Sequence, residues 1–297
     1  MENKGILYAL GAYIAWGLLP VYWKALETVP AIQILGHRIV WSFVIIGMII
    51  LARREWRKFR YILAYRNKLL YGSLGAGLLG VNWLVYIWAV NSDHIVEASL
   101  GYFINPLVSV LLGVIFFKEK LRRAQWLVVG LAALGVLYLT FHYGTPPWIS
   151  LVLALTFGFY GLLKKKSSLE ALHGLGLEMA FLVLPALGYL LFVQYQGNGS
   201  FVQDGAVTTV LLIVTGVVTA MPILLFGFAA RSIPLSLVGL LQYIAPTMQF
   251  LLGVLVYSEP FTQERLIGFS IIWMALLIYW LEGLNFHRRT TSSDAIA

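Results

Sequence analysis

No cysteine occurs in the 297 residues, and only 11% of them are charged. The first absence excludes disulfides and thiolate metal sites. The second excludes more: a soluble domain carries about 25% charged residues, and a chain that is 60% hydrophobic lacks the polar groups to cover a globule in water. Motifs of enzyme chemistry are missing too. There is no Gly-rich phosphate-binding segment and no paired-carboxylate pattern, and the histidines at 37, 94, 142, 173 and 287 have no metal-ligand spacing. No cofactor and no metal site are therefore expected, and ATP-driven pumping would need a separate subunit. A membrane-embedded transferase stays as the alternative from the enzyme class. No filter-like segment or ring of charges marks a channel.

What is present is long apolar sequence. Ten stretches approach the ~20 residues that cross a bilayer core: about 5–23, 32–52, 69–90, 95–117, 124–142, 147–163, 174–194, 207–229, 235–257 and 265–283. Period-2 alternation is absent, and the runs are too long for barrel strands, so helices are the spanning element. The first stretch, apolar from Gly5 to Tyr22 with no small-residue cleavage pattern behind it, is expected to be retained. The fold class is an all-α membrane protein of ten transmembrane helices.

Orientation follows from the basic residues, which are retained on the cytoplasmic side. With the N-terminus inside, all but Lys24, Arg38 and Arg265 of the 21 Lys and Arg fall in inner loops and tails. The densest runs are Arg53 to Lys68, Lys118 to Arg123, and Lys164 to Lys166. Both termini are then cytoplasmic. The net charge of +8 is a topology signal, and no soluble module supports a nucleic-acid partner.

The chain also repeats itself. "NPLVSVLLGVIFFKEKL" at 105–121 returns as "APTMQFLLGVLVYSEPF" at 245–261, so Pro106, Gly113 and Glu119 recur as Pro246, Gly253 and Glu259 at an offset of 140. Each half holds five spans, an odd number, so the second half enters from the opposite side: inverted repeats over 5–142 and 147–283, followed by a tail at 284–297. The basic "KEKLRR" loop agrees, because its counterpart "SEPFTQER" has lost all but one positive charge.

Two five-helix halves with a Pro and a Gly in each fourth helix and a Glu at its end resemble the EamA family of the drug/metabolite transporter superfamily, over about residues 5–283. "AYIAWGLLPVYWK", "HRIVWSF", "NWLVYIWAVN", "EASLGYFINPLV", "FGFYGLLKKK" and "QYIAPTMQFLLGV" are similar to its RarD-type branch, whose members are often labelled chloramphenicol-sensitivity proteins. The second half departs from the pattern, with "IAPT" in place of "INPL". The resemblance implies an inner-membrane carrier with a cavity between the halves.

The residues themselves point to that cavity. Pro106 and Pro246 lie mid-helix and release the carbonyls of Tyr102 and Gln242; these serve a binding site at a repeat interface or are satisfied by neighbouring helices. Asn82 and Asn105 are intramembrane amides that act as interhelical glue or contact a solute. Trp16, Tyr86, Tyr160 and Tyr243 are candidate cavity walls, as is Trp83, with packing the competing reading for each aromatic. Arg38 and Glu178, equivalent in the repeat, are the charges inside spans. Inversion puts them on opposite sides, so Arg38 is expected to pair with Glu97 and Glu178 with Arg231 or Lys164, as outer and inner latches. In helix 3, Gly72, Ala76 and Gly80 form a stripe for close helix contact. The expected function is a secondary transporter, a permease or exporter that moves a small organic metabolite or drug across the cell membrane by alternating access. Its partners are that solute and the lipid bilayer. Transport is passive or coupled to protons through Glu178, and the reading leaves the oligomeric state open.

Overall fold

The computed structural model describes residues 2–91, 95–142 and 148–256 and scattered positions between 263 and 281. Eleven helices run through it: α1 (Glu2–Lys24), α2 (Ala31–Ala52), α3 (Trp56–Leu63), α4 (Arg66–Asn91), α5 (Ile95–Phe117), α6 (Arg123–His142), α7 (Trp148–Lys166), α8 (Ala171–Tyr195), α9 (Gly205–Ser232), α10 (Leu235–Gln242) and α11 (Ile244–Leu255). No strand occurs among the described residues. Among the described residues, seven helices, α1, α2, α4, α6, α7, α8 and α9, are long and apolar enough to cross a membrane.

Both faces of these helices are apolar. On α1, Ala9, Ala12 and Tyr13 are buried while Leu7, Ile14, Leu18 and Val21 are exposed. In water the second set would be an aggregation surface; against lipid it costs nothing, which is why an all-round apolar helix belongs in a bilayer.

Two elements differ from the expected spans. The stretch 53–68, read as a basic loop, contains the short helix α3, in which Phe59 and Ile62 are buried one turn apart and Trp56, Tyr61 and Leu63 are exposed. The span expected over 235–257 is two helices meeting at Tyr243. Pro246 explains the break: it cannot donate to the Gln242 carbonyl, and the chain turns through Tyr243, whose N–H bonds the Leu240 carbonyl three residues back at 3.4 Å. Span 265–283 is described only at scattered positions, all of them helical.

The closest helix packings join the stretch before residue 142 to the stretch after 148, as in α1 with α9, α2 with α8 and α9, and α5 with α7 and α10. Glycine makes several of these approaches. A Cβ on Gly72 of α4 would lie 2.3 Å from Leu177 Cδ2 of α8, and one on Gly239 of α10 would lie 2.7 Å from the Pro106 carbonyl oxygen. Gly80, from the same small-residue stripe as Gly72, faces Leu182, and Ala76 between them is buried. At Gly216 of α9 the obstacle is backbone: its Cβ would stand 2.5 Å from the Trp41 carbonyl carbon of α2. Backbone cannot rotate aside. Gly216→Ala is therefore expected to cost about 1–3 kcal/mol through overpacking, measured as a lower thermal unfolding midpoint in detergent; an unchanged midpoint would show that α2 and α9 are not in tight contact.

Candidate functional site

One end of the bundle gathers the end of α1, the start of α2, the end of α4 and the start of α5. Arg38 lies seven residues into α2, roughly 10 Å along the axis at ~1.5 Å per residue. Its Nε donates to Thr219 Oγ1 of α9 at 3.0 Å. The guanidinium carbon lies 4.8 Å from the Trp23 ring centre and 5.0 Å from that of Trp83, so the ring faces supply much of its electrostatic compensation. Tyr86 and Tyr102, packed edge to face at 5.7 Å, are close enough to interact with its charge. Among the described residues no carboxylate pairs with Arg38. Glu97 lies in the first turn of α5, with its side chain outside the described residues.

The second ionic cluster lies where α4, α7 and α8 meet. Lys164 Nζ sits 2.8 Å from Glu178 Oε1 and 2.9 Å from Oε2, and the Tyr160 hydroxyl donates to Oε2 at 3.0 Å. All three residues are buried. The α4 backbone closes over the carboxylate at Gly75, where a Cβ would stand 2.6 Å from Oε1. Lys164 is thus the basic group that meets Glu178, while Arg231 is exposed in the last turn of α9. Tyr160, expected along a cavity wall, has its hydroxyl committed to this pair.

Glu119, which the sequence marks only as a repeat position, forms a third cluster just past the end of α5. Its Oε1 accepts the Leu235 N–H at 2.8 Å and Lys165 Nζ at 3.0 Å; its Oε2 accepts the Ser236 N–H at 2.9 Å and the Ser236 hydroxyl at 2.7 Å. The carboxylate caps α10, whose own N-cap Pro234 offers no side-chain acceptor. Lys165 also donates to the Ile233 carbonyl at 2.9 Å, so α5, α7 and α10 are held at one point. Burial pushes the Glu119 carboxyl up, but the bonds from Ser236, Leu235 and Lys165 outweigh it and hold the group below its ordinary value. An available signal was the helix start "IPLS", which has no acceptor ahead of it and must find one elsewhere.

Between these clusters lie the remaining candidates. Pro106 stays within a continuous α5. Asn105 is buried and accepts from Ser109 Oγ at 3.4 Å. Asn82 donates to the Leu153 carbonyl at 3.0 Å and to Thr156 Oγ1 at 2.9 Å, tying α4 to α7. Trp16 packs on Phe157 and Phe226, and its carbonyl accepts Gln249 Nε2 at 2.9 Å. At the break before Pro246, Gln242 Oε1 and the Tyr243 hydroxyl are buried without a hydrogen-bond partner among the described residues.

One juxtaposition was not legible from spacing. His173 stands between Glu55, 3.2 Å from Nε2, and Glu170, 3.3 Å from Nδ1. One oxygen of each carboxylate and one ring nitrogen lie within 4.8 Å of one another, but neither carboxylate is free. Each is already paired, Glu55 with Arg53 and Glu170 with Lys58. The cluster is a charge network at the helix ends.

Comparison with known proteins places this architecture. The profile of the EamA-like transporter family matches residues 3–141. A protein named RarD from Streptomyces exfoliatus is 50% identical over 289 residues, covering 97% of this chain and 92% of its own length. The uncharacterized transporter YojE of Bacillus subtilis is 47% identical over 294 residues, 98% of each chain. The chloramphenicol-sensitive protein RarD of Pseudomonas aeruginosa is 31% identical over 282 residues, 94% of each. One crystal structure superposes with a TM-score of 0.73 at 18% identity, over 94% of this chain and 97% of that one, a likeness of fold. With relatives this similar along nearly its whole length, the chain belongs to the EamA-like transporter family, in its RarD-type group, as a multi-pass membrane protein.

Proposed function

We propose that the protein is a secondary carrier of the cytoplasmic membrane, built of ten spans as two inverted repeats (5–142 and 147–283) with both termini inside. It moves a small organic metabolite or drug by alternating access. The observation that carries this reading is that two polar clusters, at different ends of the bundle, each bridge the two stretches of chain. Arg38 of α2 reaches Thr219 of α9, and Glu119 beyond α5 holds α10 and Lys165 of α7. Ties of this kind, broken and remade in turn, let one half rock against the other around a central site. The first would be the outer latch, which Glu97 completes by taking Arg38; the second, with the Lys164 and Glu178 pair beside it, would be the inner latch. Tyr86, Tyr102, Gln242 and Tyr243 would face the solute between them. Glu178 would carry a proton if the cycle uses one.

The test is transport by the purified protein in vesicles, without ATP, against a panel of amino acids, metabolites and amphenicol-type drugs. Amphenicols belong in it because of the name of the Pseudomonas relative. Accumulation or exchange of at least one solute is expected. A protein that moves none of them, yet modifies one chemically, would be the membrane-embedded transferase instead.

A further inference from the structure

Arg38 is a cation inside a membrane span whose partners among the described residues are all neutral. Nε is spent on the Thr219 hydroxyl, and the faces of the guanidinium look at Trp23 and Trp83. The two Nη groups, with four N–H donors between them, have no acceptor among the described residues. A charge in that setting is costly, and residues of this kind mark solute or ion pathways. Arg38, Tyr86 and Tyr102 are half-buried, each keeping some accessible surface. Neither tyrosine hydroxyl has a protein hydrogen-bond partner among the described residues, so both remain available as donors near the guanidinium, whose charge acts on both rings.

We infer that the transported solute carries a carboxylate, held by the Nη edge of Arg38 between Trp23 and Trp83 with the Tyr86 and Tyr102 hydroxyls as further donors. This assignment rests on the carrier reading above and names its substrate class. Three features select a carboxylate. The free edge of a guanidinium presents parallel N–H groups that match two oxygens of one planar anion. Among the described residues, Arg38 is the one cation acting on Tyr86 and Tyr102, so the site balances one negative charge, whereas a phosphoryl group brings about −1.5 to −2 at neutral pH. The rest of the wall is Trp83 and the two tyrosine rings, which suit an apolar or aromatic body. Thr219 fixes the guanidinium through Nε and is a positioning residue. In the closed state the carboxylate of Glu97 would take the same N–H groups, so solute and latch compete for one cation.

Binding can be read separately from transport, through the fluorescence of the protein in nanodiscs, since two tryptophans flank the guanidinium. The probes are phenylacetate, its neutral amide phenylacetamide, acetate, benzoate and inorganic phosphate. Phenylacetate or benzoate should quench saturably and bind at least about tenfold more tightly than the amide, the loss expected when a charged hydrogen-bond pair is removed. Arg38→Gln should abolish that preference. If this variant does not fold, Arg38→Lys and Thr219→Val carry the test: both keep the cation, lose the oriented fork, and should weaken carboxylate binding without changing that of the amide. Equal binding of acid and amide, carboxylate binding unaltered by the Arg38 and Thr219 changes, or phosphate bound more tightly than every carboxylate would each overturn the assignment. The two readings fail differently. A protein that moves neutral solutes regardless of Arg38 is a carrier without this site, and one that binds carboxylates through Arg38 but moves nothing has the site without being a carrier.

Discussion

Glu178→Ala is expected to destabilise the protein by about 3–5 kcal/mol, the loss that follows when one member of a buried ion pair is removed. Lys164 would be left in a pocket where its side chain is 7% exposed and that of Glu178 is 5% exposed. The backbone of α4 at Gly75 stands against the carboxylate, leaving little room for water to enter. One route could relieve the cost: Lys164 is two residues from the end of α7, and its four-carbon stem could carry the ammonium out to the interface. The magnitude decides between these. A loss under about 1 kcal/mol, the range of exposed pairs, would mean that Lys164 snorkels and that the pair does not tie α7 to α8. A loss of several kcal/mol, read from unfolding in mixed micelles, would mean that the ammonium is trapped. In that case the double change Lys164→Met with Glu178→Leu should restore most of the stability, because removing both charges removes the desolvation penalty as well. Tyr160→Phe removes a single hydrogen bond to the pair and should cost only about 1 kcal/mol.

The helices were legible in the sequence wherever a bilayer dictates them. Apolar runs of spanning length have one solution in lipid, and the ends of α1, α2, α4 to α9 fall within a few residues of the stretches read by eye. The short helix α3 was missed because a dense basic run reads as loop. Its signal is the i, i+3 pair Phe59 and Ile62 inside "WRKFRYIL", apolar positions one turn apart in a segment with three charges. The break at Tyr243 was half visible: Pro246 announces an unpaired carbonyl, but whether a helix continues through a proline, as at Pro106, or parts before it depends on neighbouring helices. The candidate site divides the same way. Arg38 and Glu178 stood out because charge inside a span is rare, and Lys164 was one of the two partners expected for Glu178; Thr219 as the partner of Arg38 and the reach of Glu119 to α10 were not legible, since the first pair is 181 residues apart and the second 116. Such contacts are set by how helices meet in three dimensions. Sequence spacing records only what shares one helix.

Breaking the Glu119 cluster is expected to open the end of the bundle that it holds, and the absence of native cysteine makes this directly measurable. A cysteine placed at Gln242, a position 5% exposed, should react slowly with an impermeant maleimide from either face of the membrane. Glu119→Ala removes the acceptor for two backbone N–H groups, the Ser236 hydroxyl and Lys165 at once. If the net loss equals only one charged hydrogen bond, about 1.5–3 kcal/mol, the ratio of open to closed states shifts roughly 10- to 100-fold, and labelling from the cytoplasmic face should rise accordingly. Acid should imitate the substitution. The folded pKa of Glu119 is depressed, so its contribution is fully present above the ordinary value of 4.5 and is lost as pH falls through the lower folded value. Taken relative to a fully exposed reference cysteine at the same pH, because the reactive thiolate fraction itself falls in acid, labelling of the parent protein should therefore rise only below about that value, and the Glu119→Ala variant, already open, should not respond. Lys165→Met removes one of the four donors and should give a smaller increase. If labelling rises equally from both faces, the opened protein is a through-pore and alternating access is wrong. If neither face changes, the cluster is a static cap on α10, and the two halves do not part at this end.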